Sequence, residues 1–303
     1  MRYLSSISLA LIVLMAACTA TPAEPTPNID ETVEPRAEIM APDRMLPMGV
    51  PCQEIMAGEG SISGSTYGGD LVAGWEFKIK HPTGFEGHGC QIVSSKEGHP
   101  TRSGRYSLRF EVRDGDCNRN EGWDDCSTDR SRHELSQSPG VAYQDHQYEG
   151  DEYWYSWSIL MPPSPLKKGN AIAFLGQFNS DNAARFYIED FSEGLGFRFS
   201  DETNNIIEQD VLVRNSEIRS QWTDILVHAL WSSSDNGFME VSINGESKWS
   251  LTGPNMAGAT HTYFDFGIYN AFISQCECDG MPTQIVYFDD IRRGMSRKEV
   301  ETR

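Results

Sequence analysis

WTDILVHALWSSSDNGFMEVSING, residues 222–245, is the stretch that decides the fold. Apolar and polar side chains alternate over 222–231 and again over 237–243, and a period of two is the signature of a strand with one buried face. Asn236-Gly237 and Asn244-Gly245 are hairpin dipeptides, because tight turns require the positive φ that Asn and Gly tolerate. Outward from this stretch the same rhythm recurs at 75–80, 107–113, 152–161, 171–178, 184–190, 195–200, 263–269 and 284–291. Pro162-Pro163-Ser164-Pro165 closes one of these runs, since proline brings no amide proton to a ladder. Helical periodicity is confined to the last few residues, and no βαβ rhythm occurs. Many short strands without crossover helices predict an all-β, two-sheet β-sandwich of jelly-roll, concanavalin-like type, whose concave sheet forms a groove for an extended chain.

The N-terminus has a different composition. Met1-Arg2 precedes an apolar run over 3–15 that ends in Ala16-Ala17-Cys18, which resembles a bacterial lipoprotein signal. The run is shorter than the ~20 residues a spanning helix needs. Residues 1–17 are therefore expected to be a signal peptide, with Cys18 the lipid-bearing residue. Thr19 in place of Asp resembles Gram-negative sorting to the outer membrane. Residues 19–48 hold six prolines and no aromatic residue, so 18–48 is expected to be a lipidated, disordered tether and 49–303 the jelly-roll domain.

A formal net charge of −19 argues against nucleic acid as a partner, because neutralising phosphates needs a basic surface. It also disfavours a heavily sulfated glycan. A monomer touching the membrane only through its lipid is the expected state. The chain has 7 cysteines. Beyond Cys18 they are even in number, which in an exported chain predicts disulfides. Cys117 and Cys126 flank one polar loop and are expected to pair, while Cys52, Cys90, Cys276 and Cys278 leave several pairings open. No Cys-x-x-Cys with partner histidines marks a zinc site.

Three short segments place polar groups on shared faces, since residues two apart on a strand point the same way. They are Arg132 with Glu134, Gln177 with Asn179, and Tyr263 with Asp265, Gly267 and Tyr269. Each alone reads as a salt bridge, a solvated strand end or a satisfied core tyrosine.

In order, the motifs are Asp125-Cys126-Ser127-Thr128-Asp129-Arg130-Ser131-Arg132-His133-Glu134-Leu135, Gly150-Asp151-Glu152-Tyr153-Trp154-Tyr155-Ser156-Trp157, Gln177-Phe178-Asn179, Phe266-Gly267-Ile268-Tyr269 and Val286-Tyr287-Phe288-Asp289-Asp290-Ile291. Their order and spacing resemble the jelly-roll polysaccharide lyases over roughly residues 70–294. The resemblance is to the heparin lyase I-like and glucuronan lyase families and, more loosely, to jelly-roll alginate lyases. It implies β-elimination on a uronic-acid-containing glycan, glucuronan- or alginate-like. Taking the proton next to a carboxylate builds negative charge that must be stabilised, and Arg132, Gln177 and Asn179 are the candidates, with Glu134 and Asp265 beside them. A tyrosine can serve as base and then acid, and the resemblance points to Tyr269, then Tyr263.

Two positions depart from the family. Asn179 stands where Gln-x-His is frequent, and Asp265 where Lys is frequent. His88, in a glycine-rich stretch, is the candidate imidazole, because His133 falls on the face opposite Arg132. No cofactor is required, although Asp289, Asp290 and the 114–125 loop offer oxygens for calcium. A noncatalytic glycan-binding lipoprotein is the alternative. A β-glucanase is not, since Glu189-Asp190 and Glu193 lack the Glu-x-Asp-x-x-Glu spacing.

Overall fold

The computed structural model describes residues 48–59, 62, 71–137, 146–166, 168–181, 184–256 and 258–301. The expected signal peptide, Cys18 and nearly all of the tether lie outside the described residues. Among the described residues two β-sheets stack face to face, as the alternating runs predict. One has nine strands, in the order Val50–Pro51, Cys90–Ser94, Tyr106–Val112, Gln284–Gly294, Glu152–Leu160, Trp222–Leu230, Phe238–Ile243 and Glu246–Thr252, with Val72–Ala73 parallel to Gln284–Gly294. The other has eight, in the order Ile206–Arg214, Gly194–Ser200, Phe186–Phe191, Ile172–Ser180, His261–Ala271, Arg130–Ser136 and Lys78–Ile79, with Gln147–Tyr148 beside His261–Ala271. The second is the groove sheet.

Strand His261–Ala271 shows how the alternation sorts side chains. Phe264, Phe266 and Ile268 point inward and are fully buried, whereas Tyr263 and Tyr269 are half-exposed on the outer face. Phe264 meets Trp157 of the opposite sheet at a ring separation of 4.9 Å, and Phe266 meets Phe110 at 5.6 Å. Each such ring taken from water stabilises the sandwich by about 1.5–3 kcal/mol. These rings hold the groove sheet against its partner.

Several sequence expectations need correction. Asn244 and Gly245 both take positive φ in a tight hairpin, but Asn236-Gly237 only ends a longer loop between Trp222–Leu230 and Phe238–Ile243. The run 75–80 is a strand only at Lys78–Ile79, because Trp75 and Phe77 sink into the core without a ladder partner. Cys52–Glu59 is a helix that the sequence did not reveal, being weakly amphipathic and tied down by a Cys52–Cys90 disulfide. Cys117 is joined to Cys126 as expected, with Cα atoms 5.1 Å apart, and Cys276 to Cys278.

Candidate active site

A cleft of about 450 Å³ opens on the groove sheet. Four residues expected there from sequence, Arg132, Gln177, Asn179 and Tyr269, all line it. Strand register explains their convergence. Tyr269 is directly opposite Arg132 on one neighbouring strand and Phe174 on the other, while Asp265 is opposite Gln177 and Tyr263 opposite Asn179. A register shift between Phe266 and Tyr269 creates a bulge at Gly267, which has φ +139° and lies against the His133 carbonyl so closely that a Cβ would collide with it. A bulge of this kind re-aims the residues that follow it. Here the shift lies on the side of Ile172–Ser180 and sets Tyr269 opposite Phe174.

Beneath the cleft lies a chain of ion pairs and hydrogen bonds. Arg132, 4% exposed, donates to both oxygens of Asp125 (Nε to Oδ2 2.7 Å, Nη2 to Oδ1 2.6 Å) and to Glu134 Oε2 at 3.2 Å. Gln177 Nε2 donates to Glu134 Oε1 at 2.9 Å. Lys80 pairs with Asp265, whose carboxylate also accepts from Asn179. Burial opposes the charge of Asp125, but contacts with His81 and Arg132 outweigh it and hold that carboxyl far below the usual range. Glu134 goes the other way: burial, aided by Asp265 and Asp125, pushes it up to about 7 against the pull of Lys80 and Arg132.

Arg132 therefore does not offer a free fork to a ligand, contrary to the sequence expectation. Its guanidinium is held between Asp125 and Glu134 and lies 3.8 Å from the centre of the Tyr269 ring. The lysine absent at Asp265 is supplied by Lys80, the residue just after strand Lys78–Ile79, together with its counter-charge. His88 is not among the cleft-lining residues; its Nε2 is 2.9 Å from Asp116 and its ring packs edge-on against His133. Tyr263 is on the groove face but also outside the cleft lining, beside His146 and His261.

Other lining residues were not foreseen. His81 is 8% exposed, takes φ +54°, and has Nδ1 3.6 Å from Asp125 Oδ2, beyond hydrogen-bonding length. Burial lowers its pKa, which keeps the imidazole neutral. Tyr187 is pushed up to about 12 by burial and keeps its proton. Arg130 Nε donates to Tyr269 Oη at 2.8 Å, while its guanidinium faces the half-exposed rings of Trp123 and Phe272 at 5.3 and 5.6 Å.

The acidic residues considered for calcium accept hydrogen bonds from the chain itself. Asp289 accepts from the amides of Arg102, Ser103 and Asp290, and Asp290 from Ser103 Oγ and Arg292. In the 114–125 loop, Asp114 accepts from the Met281 amide, Asp116 from that of Arg113, and Asp124 from that of Cys126. His88, Asp116 and His133 do gather within 4.8 Å of one another, but His133 Nδ1 is already bonded to the Glu111 carbonyl at 2.6 Å.

The architecture is shared with solved enzymes of low sequence identity. An endo-β-1,4-glucuronan lyase from the fungus Trichoderma reesei is 13% identical and superposes with a TM-score of 0.56 over 76% of this chain and 96% of its own. An alginate lyase from Klebsiella pneumoniae is 7% identical, with a TM-score of 0.50 over 70% of this chain and 86% of its own. No curated protein matches the sequence. The family model described as polysaccharide lyase matches residues 68–292, covering every cleft residue named above and both sheets apart from strand Val50–Pro51 and the end of Gln284–Gly294, and the chain belongs to that polysaccharide lyase family.

Proposed function

We propose that this polysaccharide lyase cleaves an unsulfated, uronic-acid-containing glycan by β-elimination, with Tyr269 taking the proton. The convergence of Tyr269, Gln177 and Asn179 in one cleft, from separated segments, is the observation that supports it most. The C5–H pair becomes the C4=C5 double bond as the C4–O bond breaks, and the leaving oxygen takes the proton that Tyr269 received. Negative charge on the sugar carboxylate grows as C5–H breaks, and side-chain amides such as those of Gln177 and Asn179 are donors that can meet it. Two solved enzymes of similar fold are named for polyuronates, which supports that class of glycan.

Absorbance of the unsaturated uronate product, followed against a panel of polyuronates, tests this. The wild-type protein should give a steady rise on at least one of them, and Tyr269→Phe should lower the rate by about 10²–10⁴-fold while still binding that glycan. A flat trace on every polyuronate, with binding retained, would favour the noncatalytic alternative. Undiminished turnover in Tyr269→Phe would remove the tyrosine from its role.

We propose as well that residues 1–17 direct export, that Cys18 is lipidated, that 18–48 tethers the enzyme to the outer membrane and that it works as a monomer. Loss of radiolabelled palmitate incorporation in Cys18→Ala would support the anchor, and unchanged incorporation would refute it.

A further inference from the structure

We propose that Arg130, rather than Arg132, is the cation that receives the substrate's carboxylate, and that it makes the cleft selective for a free, unsulfated uronate. The inference rests on the proposed elimination and names the group that recognises its substrate. The reacting proton and the carboxylate are substituents of the same sugar carbon, so the proton acceptor and the carboxylate's counter-ion must be neighbours. Arg130 is bonded to Tyr269 Oη through Nε at 2.8 Å.

Charge pairing leads to the same residue. Of the cations lining the cleft, Lys80 is matched to Asp265, Arg132 to Asp125 and Glu134, and Arg198 to Glu189. Arg130 has no acidic partner among the described residues; its other bond is from Nη1 to the Thr128 carbonyl. Its guanidinium faces Trp123 and Phe272, and with Nε on Tyr269 and Nη1 on Thr128 it keeps Nη2 for an incoming oxygen. A guanidinium N–H donates a charge-assisted hydrogen bond to a carboxylate oxygen, stronger than one between neutral groups. One unmatched positive charge, on a chain of net charge −19, suits one carboxylate per sugar and cannot balance added sulfates.

Calorimetry with an unsulfated glucuronate hexasaccharide and its carboxyl-reduced, neutral counterpart tests the assignment in the Tyr269→Phe background, where no turnover intervenes. Tyr269→Phe should prefer the charged oligosaccharide by at least about tenfold, a single charge-assisted contact being enough for that. Adding Arg130→Gln should abolish the preference and leave binding of the neutral form unchanged, while adding Arg130→Lys should retain part of it. A preference that survives Arg130→Gln overturns the proposal and returns the role to Arg132 or the amides. Equal loss of both ligands in both Arg130 variants also overturns it, since that is a purely structural effect. Failure of the elimination itself is read separately, as persistent unsaturated product from Tyr269→Phe.

Discussion

The Arg132 guanidinium lies 3.8 Å from the centre of the Tyr269 ring, on the residue directly across the strand pair. The contact fixes the plane of the phenol proposed to take the sugar proton. Asp125 and Glu134 hold the guanidinium in turn, so the tyrosine's position depends on a buried network rather than on its own strand alone.

Arg132→Ala should therefore act through the fold. Removing it strands Asp125 and Glu134, both fully buried, and breaking a buried ion pair on one side costs about 3–5 kcal/mol. Tyr269→Phe keeps the ring and its cation contact and should change stability by less than about 1 kcal/mol. Urea denaturation of the two variants separates them, and similar midpoints would mean that the network is not load-sharing as described.

The Cys117–Cys126 bridge closes the loop that carries Trp123 and Asp125. A cross-link of this length should stabilise by about 2–3 kcal/mol. Replacing both cysteines with serine should lower the urea midpoint and also lower kcat, because Asp125 is what holds Arg132 under the tyrosine ring. Loss of stability with unchanged kcat would show that the loop keeps its place without the bridge.

Much of this site was legible in the sequence, because period-two alternation places Arg132 with Glu134, Gln177 with Asn179, and Asp265 with Tyr269 on shared faces. Strands without one wet and one dry face were not legible. Cys90–Ser94 is buried almost throughout, and Ile206–Arg214 is exposed along most of its length, so neither alternates. Partners joined across the fold were equally hidden: nothing local links Lys80 to Asp265 or Asp125 to Arg132. His81 escaped notice because it follows a strand of two residues in a left-handed conformation that no periodicity marks.

Glu134 should make stability depend on pH. Its folded-state pKa of about 7 exceeds the ordinary 4.5, so between these values the folded protein binds more protons than the unfolded chain. The contribution of this group is thus complete below pH 4.5 and is lost as pH rises through 7, by an amount on the order of 3 kcal/mol. Glu134→Gln should flatten that part of the profile. Comparing the variant with wild type in urea at pH 4.5 and 7.5 isolates it from other titrating groups such as Asp289, and parallel profiles would refute the assignment.

His81 and His88 provide the last comparison. Sequence pointed to His88 as the imidazole, but it sits between Asp116 and His133 and does not line the cleft, whereas His81 does. Burial holds the His81 pKa below its ordinary 6.5, so the folded protein disfavours the charged ring more than the unfolded chain does. The stability this gives is complete above pH 6.5 and declines as acid protonates the ring, and a cationic ring beside Arg132 and Lys80 would also disturb the network under Tyr269. His81→Ala should accordingly reduce kcat and reshape the acid limb of the pH–rate profile. His88→Ala should leave kcat and that limb near wild type, with any effect confined to the urea midpoint. Equal losses of kcat in the two variants, or a loss in His88→Ala alone, would return the imidazole role to the glycine-rich loop.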